Sequence, residues 1–364
     1  MKWISKYAEL LVDYSLYLKE GELVYLRTTS LANDLVNEFS KYCIQAGAIL
    51  EVEIEYEAKE ENLMAFGYEK QLEYFPQYKL DLISKCDAYL VIKAPYKPKD
   101  TFLIDPVKEK LSSKVLTKFQ EIYFDRLGSG SLKRSLCQFP TIYGAEQANM
   151  SIEDYTSFIV KACKIDLENP AKGWKELSNM QQRIVDYLNQ VQHVVYSHND
   201  WKIEFNVKDR IWINSDGKSN MPSGEVFTSP VENSVCGTIY FDYPTIMYGE
   251  DVQGIKLQVQ DGYITEYSAK IGQSCLDKVF AVEGSRYFGE VAIGTNKEIN
   301  QATKNILFDE KIGGTIHMAV GQSYYQCGGK NKSTIHWDLI TDMKKGGKII
   351  ADGKLIYENG NFII

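Results

Sequence analysis

Histidine is scarce in this chain, and its cysteines never occur at the paired spacing of a zinc ribbon or a redox motif. Of the 364 residues, 4 are histidine and 7 are cysteine, and no two cysteines form a Cys-x-x-Cys pair. An odd number of scattered cysteines is typical of reduced thiols. We therefore expect a cytoplasmic protein without disulfides and without a cysteine-bound zinc site.

Long apolar runs and an excess of basic residues are absent as well. No apolar run reaches eighteen residues, so no membrane-spanning helix is predicted. The amphipathic N-terminal segment contains Glu9 and Asp13, which a secretory hydrophobic region would not contain. The net charge of -8 argues against nucleic acid or an anionic membrane surface as the main partner.

The glycine-rich loops that bind phosphates are also missing. No Gly-x-Gly-x-x-Gly follows the first predicted strand, and Gly328-Gly-Lys330 lacks the upstream glycine and the following Ser or Thr of a Walker motif. The nearest candidate, Gly128-Ser-Gly-Ser, is better interpreted as an ordinary turn. These absences disfavour an enzyme that uses a nucleotide.

In the first half of the chain, helical and strand patterns alternate. Helical periodicity occurs at residues 3–18, 31–47, 68–84 and 106–120, and apolar strand patterns occur at 23–27, 49–55, 88–94 and 135–139. Strands separated by helices predict right-handed crossovers and a parallel sheet. A helical connection follows from Ser151, which begins a capping-box pattern. We predict a Rossmann-like α/β domain over residues 1–192.

The second half changes in character from Val194 onward. β-Branched and aromatic residues alternate with polar ones, and the turn signals are Asp216-Gly217, Asp261-Gly262, Gly346-Gly347 and Asp352-Gly353. Asp-Gly between such runs indicates hairpins. Short helices are predicted near residues 275–280 and 299–308. We predict a β-rich, mostly antiparallel α+β domain over residues 193–364.

Polar side chains are concentrated between Gly289 and Asp338. This stretch contains two of the four histidines, and its polar members are Glu290, Glu310, His317, Tyr324, His336 and Asp338. Because side chains two apart on a strand share a face, His336 and Asp338 should project together. Imidazole nitrogen and carboxylate oxygen are the usual ligands of a divalent metal ion. The stretch therefore predicts a metal site.

Each of these residues alone has a simpler interpretation. A single strand histidine is more often a core residue with a satisfied hydrogen bond, and a glutamate in a Gly-Glu-Val turn is more often solvated. The metal prediction depends on their occurring together in runs that are otherwise suited to burial. Buried carboxylates are rarely tolerated unless they are paired or bound to metal.

Five segments of the second half identify a resemblance. They are Asn220-Met-Pro-Ser-Gly-Glu-Val-Phe-Thr-Ser-Pro230, Gly289-Glu-Val-Ala-Ile-Gly, Leu307-Phe-Asp-Glu, His317-Met-Ala-Val-Gly and His336-Trp-Asp. With these segments the chain resembles the aminopeptidase T/aminopeptidase S family of metallopeptidases. The likeness extends to the opening helix, to Phe139-Pro-Thr and to Ala148-Asn-Met-Ser, so it runs essentially end to end. It implies a Rossmann-like domain, a β-rich catalytic domain and a homodimer.

The resemblance also implies roles for individual residues. The metal ligands would be Glu225, Glu290, Glu310, His317, His336 and Asp338. Glu310 would bind metal or serve as base, and Tyr324 would lie at the active site. Two positions depart from the family pattern. Six residues separate Glu310 from His317, where many relatives have fewer, and Tyr325 stands where relatives often have proline.

The activity implied is that of a metal-dependent aminopeptidase, which releases N-terminal amino acids from peptides through a metal-bridged hydroxide. Two divalent ions (zinc, cobalt or manganese) would be the cofactors, and a peptide with a free N-terminus would be the substrate. Two alternatives stay open: a metal-dependent hydrolase of a non-peptide amide or ester, and a non-enzymatic binding protein. We interpret His193, His198 and Asp200 as structural residues.

Overall fold

The computed structural model describes residues 2–98 and 105–364. The chain packs as two compact units, the first made of Met1–Ala171 and Gly217–Pro222 and the second of Lys172–Asp216 and Ser223–Ile364. The predicted domain boundary between residues 192 and 193 is a statement about which regions fold independently. Compact packing does not test independent folding, so the boundary stays a prediction.

The first unit consists of a sheet and helices, numbered here in chain order. Its helices are α1 (Lys2–Leu10, extended by a π-helical turn at Leu11–Ser15), α2 (Asn33–Gln45), α3 (Lys59–Phe66), α4 (Glu69–Leu72), α5 (Gln77–Lys85), α6 (Pro106–Val115), α7 (Thr117–Gly128), α8 (Ile142–Gln147) and α9 (Ile152–Ala162). Its strands are β1 (Leu23–Thr29), β2 (Ile49–Glu55), β3 (Ala88–Lys93), β4 (Lys133–Gln138) and β8 (Asn220–Met221).

The sheet of the first unit is parallel throughout, with strand order β2-β1-β3-β4-β8. Tyr25 and Tyr89 project from neighbouring strands into a core formed with Ile83 of α5 and Phe119 of α7. Helices packed on a parallel sheet are what the alternating pattern predicts. The predicted α/β fold of this half is confirmed.

Proline explains the main difference in helix boundaries. The predicted helix over residues 68–84 is two helices, because α4 ends at Leu72 and α5 begins only at Gln77, after Pro76. Proline restricts its own φ and disfavours helical conformation in the residue before it. The predicted helix over residues 106–120 is also divided, into α6 and a longer α7. Gly128, in the segment interpreted as a turn, ends α7.

The second unit is dominated by strands. Its helices are α10 (Pro170–Leu188, in this unit from Lys172), α11 (Gln273–Phe280) and α12 (Ile306–Asp309). Its strands are β5 (His193–His198), β6 (Trp201–Asn206), β7 (Ile213–Ser215), β9 (Glu225–Thr228), β10 (Cys236–Phe241), β11 (Thr245–Met247), β12 (Glu250–Val252), β13 (Ile255–Gln260), β14 (Tyr263–Ser268), β15 (Phe288–Gly294), β16 (Thr315–Gly321), β17 (His336–Asp342), β18 (Lys348–Ala351), β19 (Lys354–Glu358) and β20 (Asn361–Phe362).

Two antiparallel sheets of this unit share one hydrophobic core. The eight-stranded sheet has the order β14-β13-β10-β6-β5-β18-β19-β20, and the five-stranded sheet has the order β17-β16-β15-β9-β7. Strands of both sheets contribute to the core together with Leu188 of α10 and Leu276 of α11. Strands β6 and β13 of the eight-stranded sheet alternate buried with more exposed residues, whereas every residue of β9, β15 and β16 in the five-stranded sheet is buried. The predicted β-rich, antiparallel architecture is confirmed.

The hairpin signal was correct at two of the three Asp-Gly positions. Asp261-Gly262 connects β13 to β14 and Asp352-Gly353 connects β18 to β19, with positive φ at both residues of each pair. Positive φ at both central residues matches the right-handed twist of a hairpin. Asp216-Gly217 instead lies between β7 and β8, which belong to different sheets, so that hairpin prediction was wrong. Gly346-Gly347, a turn signal without a hairpin prediction, lies between β17 and β18.

Three further predictions concern the cysteines, membrane-spanning helices and the helix near residues 299–308. All seven cysteines are free thiols, and six of them are buried. Within residues 2–98 and 105–364, no helix is both long and apolar enough to cross a membrane. The helix predicted over residues 299–308 is shorter than expected. The only regular α-helix in that segment is α12, which begins at Ile306.

Candidate metal centre

The five-stranded sheet of the second unit, β17-β16-β15-β9-β7, has two chemically different faces. One face enters the hydrophobic core through Val226, Phe288, Val291, Ile293, Ile316, Met318, Val320, Trp337 and Leu339. The intervening positions project to the opposite face and include Glu225, Glu290, His317, His336 and Asp338. Because strand side chains alternate, apolar residues at every second position secure the sheet and orient the polar set to one side.

Strand register brings the polar residues of β15, β16 and β17 side by side. Glu290 is paired with Ala319, and Ala319 is paired in turn with Asp338, while Gly321 is paired with His336. A methyl group at Ala319 leaves open space between the two carboxylates. His336 Nε2 lies 3.2 Å from Glu290 Oε2 and 3.7 Å from Asp338 Oδ1.

Glycine at position 289 permits the approach of Glu290. The register of β15 shifts between Phe288 and Glu290, as in a β-bulge, which redirects the side chain that follows. A Cβ atom on Gly289 would lie 2.2 Å from the carbonyl oxygen of Gln322. Any larger residue would therefore separate β15 from the segment after β16, and the position of Glu290 would change.

His317 lies at the centre of the cluster and is completely buried. Its Nε2 lies 3.5 Å from Glu225 Oε2, 3.6 Å from Glu290 Oε1 and 3.9 Å from Asp338 Oδ1. These separations exceed ordinary hydrogen-bond lengths. Three carboxylates from three strands thus surround one imidazole nitrogen without a direct bond to it.

His336 has a defined tautomer. Its Nδ1 lies 2.8 Å from the carbonyl oxygen of Gln322, and a carbonyl oxygen can only accept a hydrogen bond, so Nδ1 carries a proton. A neutral His336 therefore has Nε2 free as a ligand atom on the side of Glu290. The hydroxyl of Tyr324 lies 3.5 Å from the same Nε2, and the two rings are in edge contact.

Tyr324 is held from its backbone. Its amide N–H donates to Ser229 Oγ over 3.2 Å, and Ser229 Oγ donates in turn to the carbonyl oxygen of Gly289 over 2.7 Å. Tyr325 begins a 3-10 turn that extends to Cys327. Ser229 therefore connects the tyrosine to the strand that carries Glu290.

Glu310 and Lys311 enter the cluster from the end of α12. Glu310 has a carboxylate oxygen within 4.8 Å of ligand atoms of His317 and Asp338, so the six-residue spacing to His317 does not keep it away. Lys311 is fully buried, with Nζ 3.5 Å from Glu225 Oε1 and in contact with the carboxylate of Glu310. Sequence reasoning missed Lys311, and its adjacency to Glu310 was the only signal.

The predicted ligands form three overlapping groups among the described residues. In each group one ligand atom per residue lies within 4.8 Å of the others, and the groups are Glu225–Glu290–His317, Glu290–His336–Asp338 and Glu310–His317–Asp338. The structure thus brings together all six predicted ligands, with Tyr324 beside His336. Whether each residue binds metal stays a prediction.

Several buried polar atoms of the cluster have no hydrogen-bond partner. They are Glu225 Oε2, Asp338 Oδ1 and both ring nitrogens of His317. Buried polar atoms without partners cost folding free energy and are uncommon in folded proteins. Carboxylate oxygen and imidazole nitrogen are both ligands for zinc, cobalt and manganese. The donor set fits divalent cations.

In the metal-free cluster the pKa values of the carboxylates and imidazoles differ strongly from their ordinary values. Burial raises the pKa of Glu225 to about 7 and that of Asp338 to about 6. Burial also acts to raise the pKa of Glu290, but the two facing imidazoles outweigh it and lower the pKa to about 2. Burial disfavours charge on the imidazoles, yet the surrounding carboxylates raise the pKa of His317 to about 9 and that of His336 to about 10. Protons thus provide positive charge that bound cations would otherwise supply.

The other polar residues that were assessed from sequence lie outside the ligand groups. His198 Nε2 lies 2.6 Å from the carbonyl oxygen of Lys345, and its ring stacks on Trp201. His193 and Asp200 also take no part in the three groups. The structural interpretation of these three residues is compatible with their positions.

Comparison with known proteins gives matches over nearly the whole chain. The sequence profile of the thermophilic metalloprotease family (M29) matches residues 2–362. Aminopeptidase 2 of Geobacillus stearothermophilus is 26% identical over 99% of this chain and 98% of its own length. Aminopeptidase AmpS of Bacillus subtilis (strain 168) is 25% identical, with the same coverage of 99% and 98%.

The fold of the chain matches that of a solved structure. Wild-type AmpT from Thermus thermophilus superposes with a TM-score of 0.86 and covers 100% of this chain and 99% of its own. At 20% sequence identity this likeness concerns the fold alone.

Proposed function

The chain belongs to the M29 family of thermophilic metalloproteases, and we propose that it is a metal-dependent aminopeptidase whose active centre lies on the polar face of the five-stranded sheet. The observation that carries this proposal is the buried cluster of carboxylates and imidazoles with unpartnered ligand atoms. Two curated relatives that match 99% of this chain are named as aminopeptidases.

The arrangement of ligand groups supports a centre for two divalent ions. Two of the groups contain His317, and a single imidazole Nε2 binds one ion, so only one of these two groups can be filled at a time. The remaining group contains Glu290, His336 and Asp338. It shares Glu290 with one of the His317 groups and Asp338 with the other. We propose zinc, cobalt or manganese as the occupants.

The bound ions would supply Lewis acidity toward the scissile carbonyl and lower the pKa of water. Glu310 is proposed as the general base, which takes the proton of the attacking water and returns it to the leaving amine. The phenol of Tyr324 is proposed to donate a hydrogen bond to the carbonyl oxygen as negative charge develops there. If the Glu310–His317–Asp338 group held a metal ion instead, Glu310 would be a ligand and Glu225 would be left as the carboxylate not bound to metal.

The proposed substrate is a peptide with a free N-terminus. Its α-amino group carries positive charge, which a carboxylate of the cluster not fully used by metal would attract. Homodimerisation is proposed from the family resemblance, and a cytoplasmic location is proposed from the free thiols.

Hydrolysis of aminoacyl p-nitroanilides tests the proposal directly. Leucine, arginine and glutamate p-nitroanilides would be offered to metal-stripped protein before and after addition of Co²⁺, Zn²⁺ or Mn²⁺, with N-acetyl-leucine p-nitroanilide as the blocked control. We expect activity only with metal and only on unblocked substrates. Equal cleavage of the blocked substrate would overturn the aminopeptidase assignment, and absence of metal binding would overturn the metal centre.

A further inference from the structure

Lys311 places a permanent positive charge inside the cluster. Lysine is almost never fully buried unless it is paired, and the Lys311 side chain has no exposed surface. Its ammonium lies 3.5 Å from Glu225 Oε1 and contacts Glu310 Oε1. The charge is therefore held by two carboxylates that also belong to the candidate ligand set.

The oxygen atoms of Glu225 are divided between two functions. Oε1 faces the ammonium of Lys311, whereas Oε2 faces His317 and has no hydrogen-bond partner. Lys311 thus leaves a ligand atom of Glu225 free. The lysine does not remove Glu225 from the ligand set, but its ammonium group stays beside that carboxylate.

Charge balance gives this arrangement a consequence. Four carboxylates (Glu225, Glu290, Glu310 and Asp338) lie in the cluster, and when no divalent ion is bound their mutual repulsion is offset only by Lys311 and by the protons on the two imidazoles. An ammonium between two of them reduces that repulsion and so stabilises the metal-free protein. The same ammonium repels any divalent ion that enters the neighbouring ligand groups, and this repulsion is strong where water is excluded.

We propose that Lys311 is an internal counter-ion that stabilises the metal-free centre and weakens divalent-metal binding, so that the metal is exchangeable. This inference rests on the proposed function, since it requires the cluster to bind metal. It assigns to Lys311 control of metal affinity rather than a part in the chemical step.

The test is metal binding by variants in which Lys311 has lost its charge. Metal-stripped wild-type protein, Lys311→Met and Lys311→Gln would be titrated with Co²⁺ and Zn²⁺ in competition with a chelating dye. We expect both variants to bind the ions at least about tenfold more tightly than wild type, which corresponds to 1.4 kcal/mol. Their metal-free forms should unfold at lower temperature than metal-free wild type, and saturating metal should abolish the difference.

Lys79→Met is the matched control, because Lys79 pairs with the mostly buried Glu53 in the first unit. It should lower the unfolding temperature and leave metal affinity unchanged. Circular dichroism would verify folding, and Lys311→Gln keeps the test decisive if Lys311→Met does not fold.

The two proposals fail in different ways. Wild-type protein that binds no divalent ion would overturn the proposed function together with this inference. Wild-type protein that binds metal, with Lys311 variants that bind it equally or more weakly, would overturn the counter-ion role alone. Tighter binding by Lys79→Met as well would also overturn it, since the effect would then not be specific to the centre.

Discussion

Each compact unit contains a group of charged side chains, partly buried in the first unit and mostly buried in the second, and the two groups differ in how their carboxylates are partnered. In the first unit Glu53 accepts hydrogen bonds from Tyr25 and Lys79, with Arg27 Nε at 3.5 Å and Lys59 Nζ at 3.8 Å. Glu55 shares Arg27 and Lys59, so that two carboxylates are surrounded by three cations and a phenol.

The second unit has the opposite balance. Four carboxylates share one lysine and two imidazoles, and ligand atoms of Glu225, Asp338 and His317 lack hydrogen-bond partners. A buried group with partners rigidifies a fold, whereas buried groups without partners are costly and persist where something else binds them. The comparison indicates a structural network in the first unit and a binding centre in the second.

Glu290→Gln should give the largest effect, because Glu290 belongs to two of the three ligand groups. We expect aminopeptidase activity to fall by about a thousandfold or more, equivalent to about 4 kcal/mol of activation free energy. Circular dichroism should be unchanged. Steady-state kinetics on leucine p-nitroanilide measures the loss, and a variant that kept most of its activity would refute the assignment of Glu290.

Tyr324→Phe should reduce kcat by about a hundredfold, the size of effect seen when a single oxyanion donor is removed. The variant keeps the ring contacts with Phe227 and His336 and loses only the hydroxyl. Metal affinity should stay within about threefold of wild type. Unchanged kcat would show that the hydroxyl has no part in the reaction.

Metal loading should stabilise the protein through the second unit only. At a free metal concentration of a hundred times Kd, we expect about 2.7 kcal/mol of added stability. Thermal unfolding with and without chelator measures it. Glu290→Gln should abolish the gain and Glu53→Gln should retain it; a gain that survives in Glu290→Gln would place metal binding elsewhere.

Glu53→Gln should destabilise the protein without affecting catalysis. The Glu53 side chain is 11% exposed, and losing charged hydrogen bonds at such a position costs about 1–3 kcal/mol. Urea unfolding followed by fluorescence, with activity measured in parallel, gives both readings. Loss of activity in the folded variant would mean that this network is more than structural.

The loss of stability caused by Glu53→Gln should depend on pH in a defined direction. Burial acts to raise the pKa of Glu53, but hydrogen bonds from Lys79 and Tyr25 and the charge of Arg27 outweigh it and lower the pKa. The stabilisation is therefore fully present above the pKa of the unfolded chain and is lost as pH falls through the lower folded pKa. The stability difference between wild type and Glu53→Gln should shrink below about pH 4. A difference independent of pH would contradict the ionised network.

Much of the fold was predictable from sequence, and so was the set of candidate ligands that the structure brings together. The alternation of β- and α-patterns predicted the parallel sheet, and Asp261-Gly262 predicted a hairpin through its requirement for positive φ. The two-residue period of a strand predicted that His336 and Asp338 share one face. In the structure His336 Nε2 lies 3.7 Å from Asp338 Oδ1. These predictions succeeded because each depends on neighbouring residues only, and the backbone dihedral angles that each residue permits are sufficient to predict the local structure.

The errors arose where distant parts of the chain decide the structure. Asp216-Gly217 has the same local signal as Asp261-Gly262, yet it leads from one sheet to another because β8 pairs with β4. Lys311 carried no local signal of burial, since lysine in a short loop is normally exposed. Its position depends on Glu225, which is more than eighty residues earlier in the chain.

The sequence alone determined the periodicities, the turn chemistry and the supply of ligand types, because each depends on neighbouring residues. The tertiary structure decided which carboxylates meet. Strand register sets Glu290 and Asp338 on either side of Ala319, and the bulge at Gly289 lets β15 approach closely enough. Register and packing are long-range properties, and the free energy of a buried charge depends on them as much as on the residue itself.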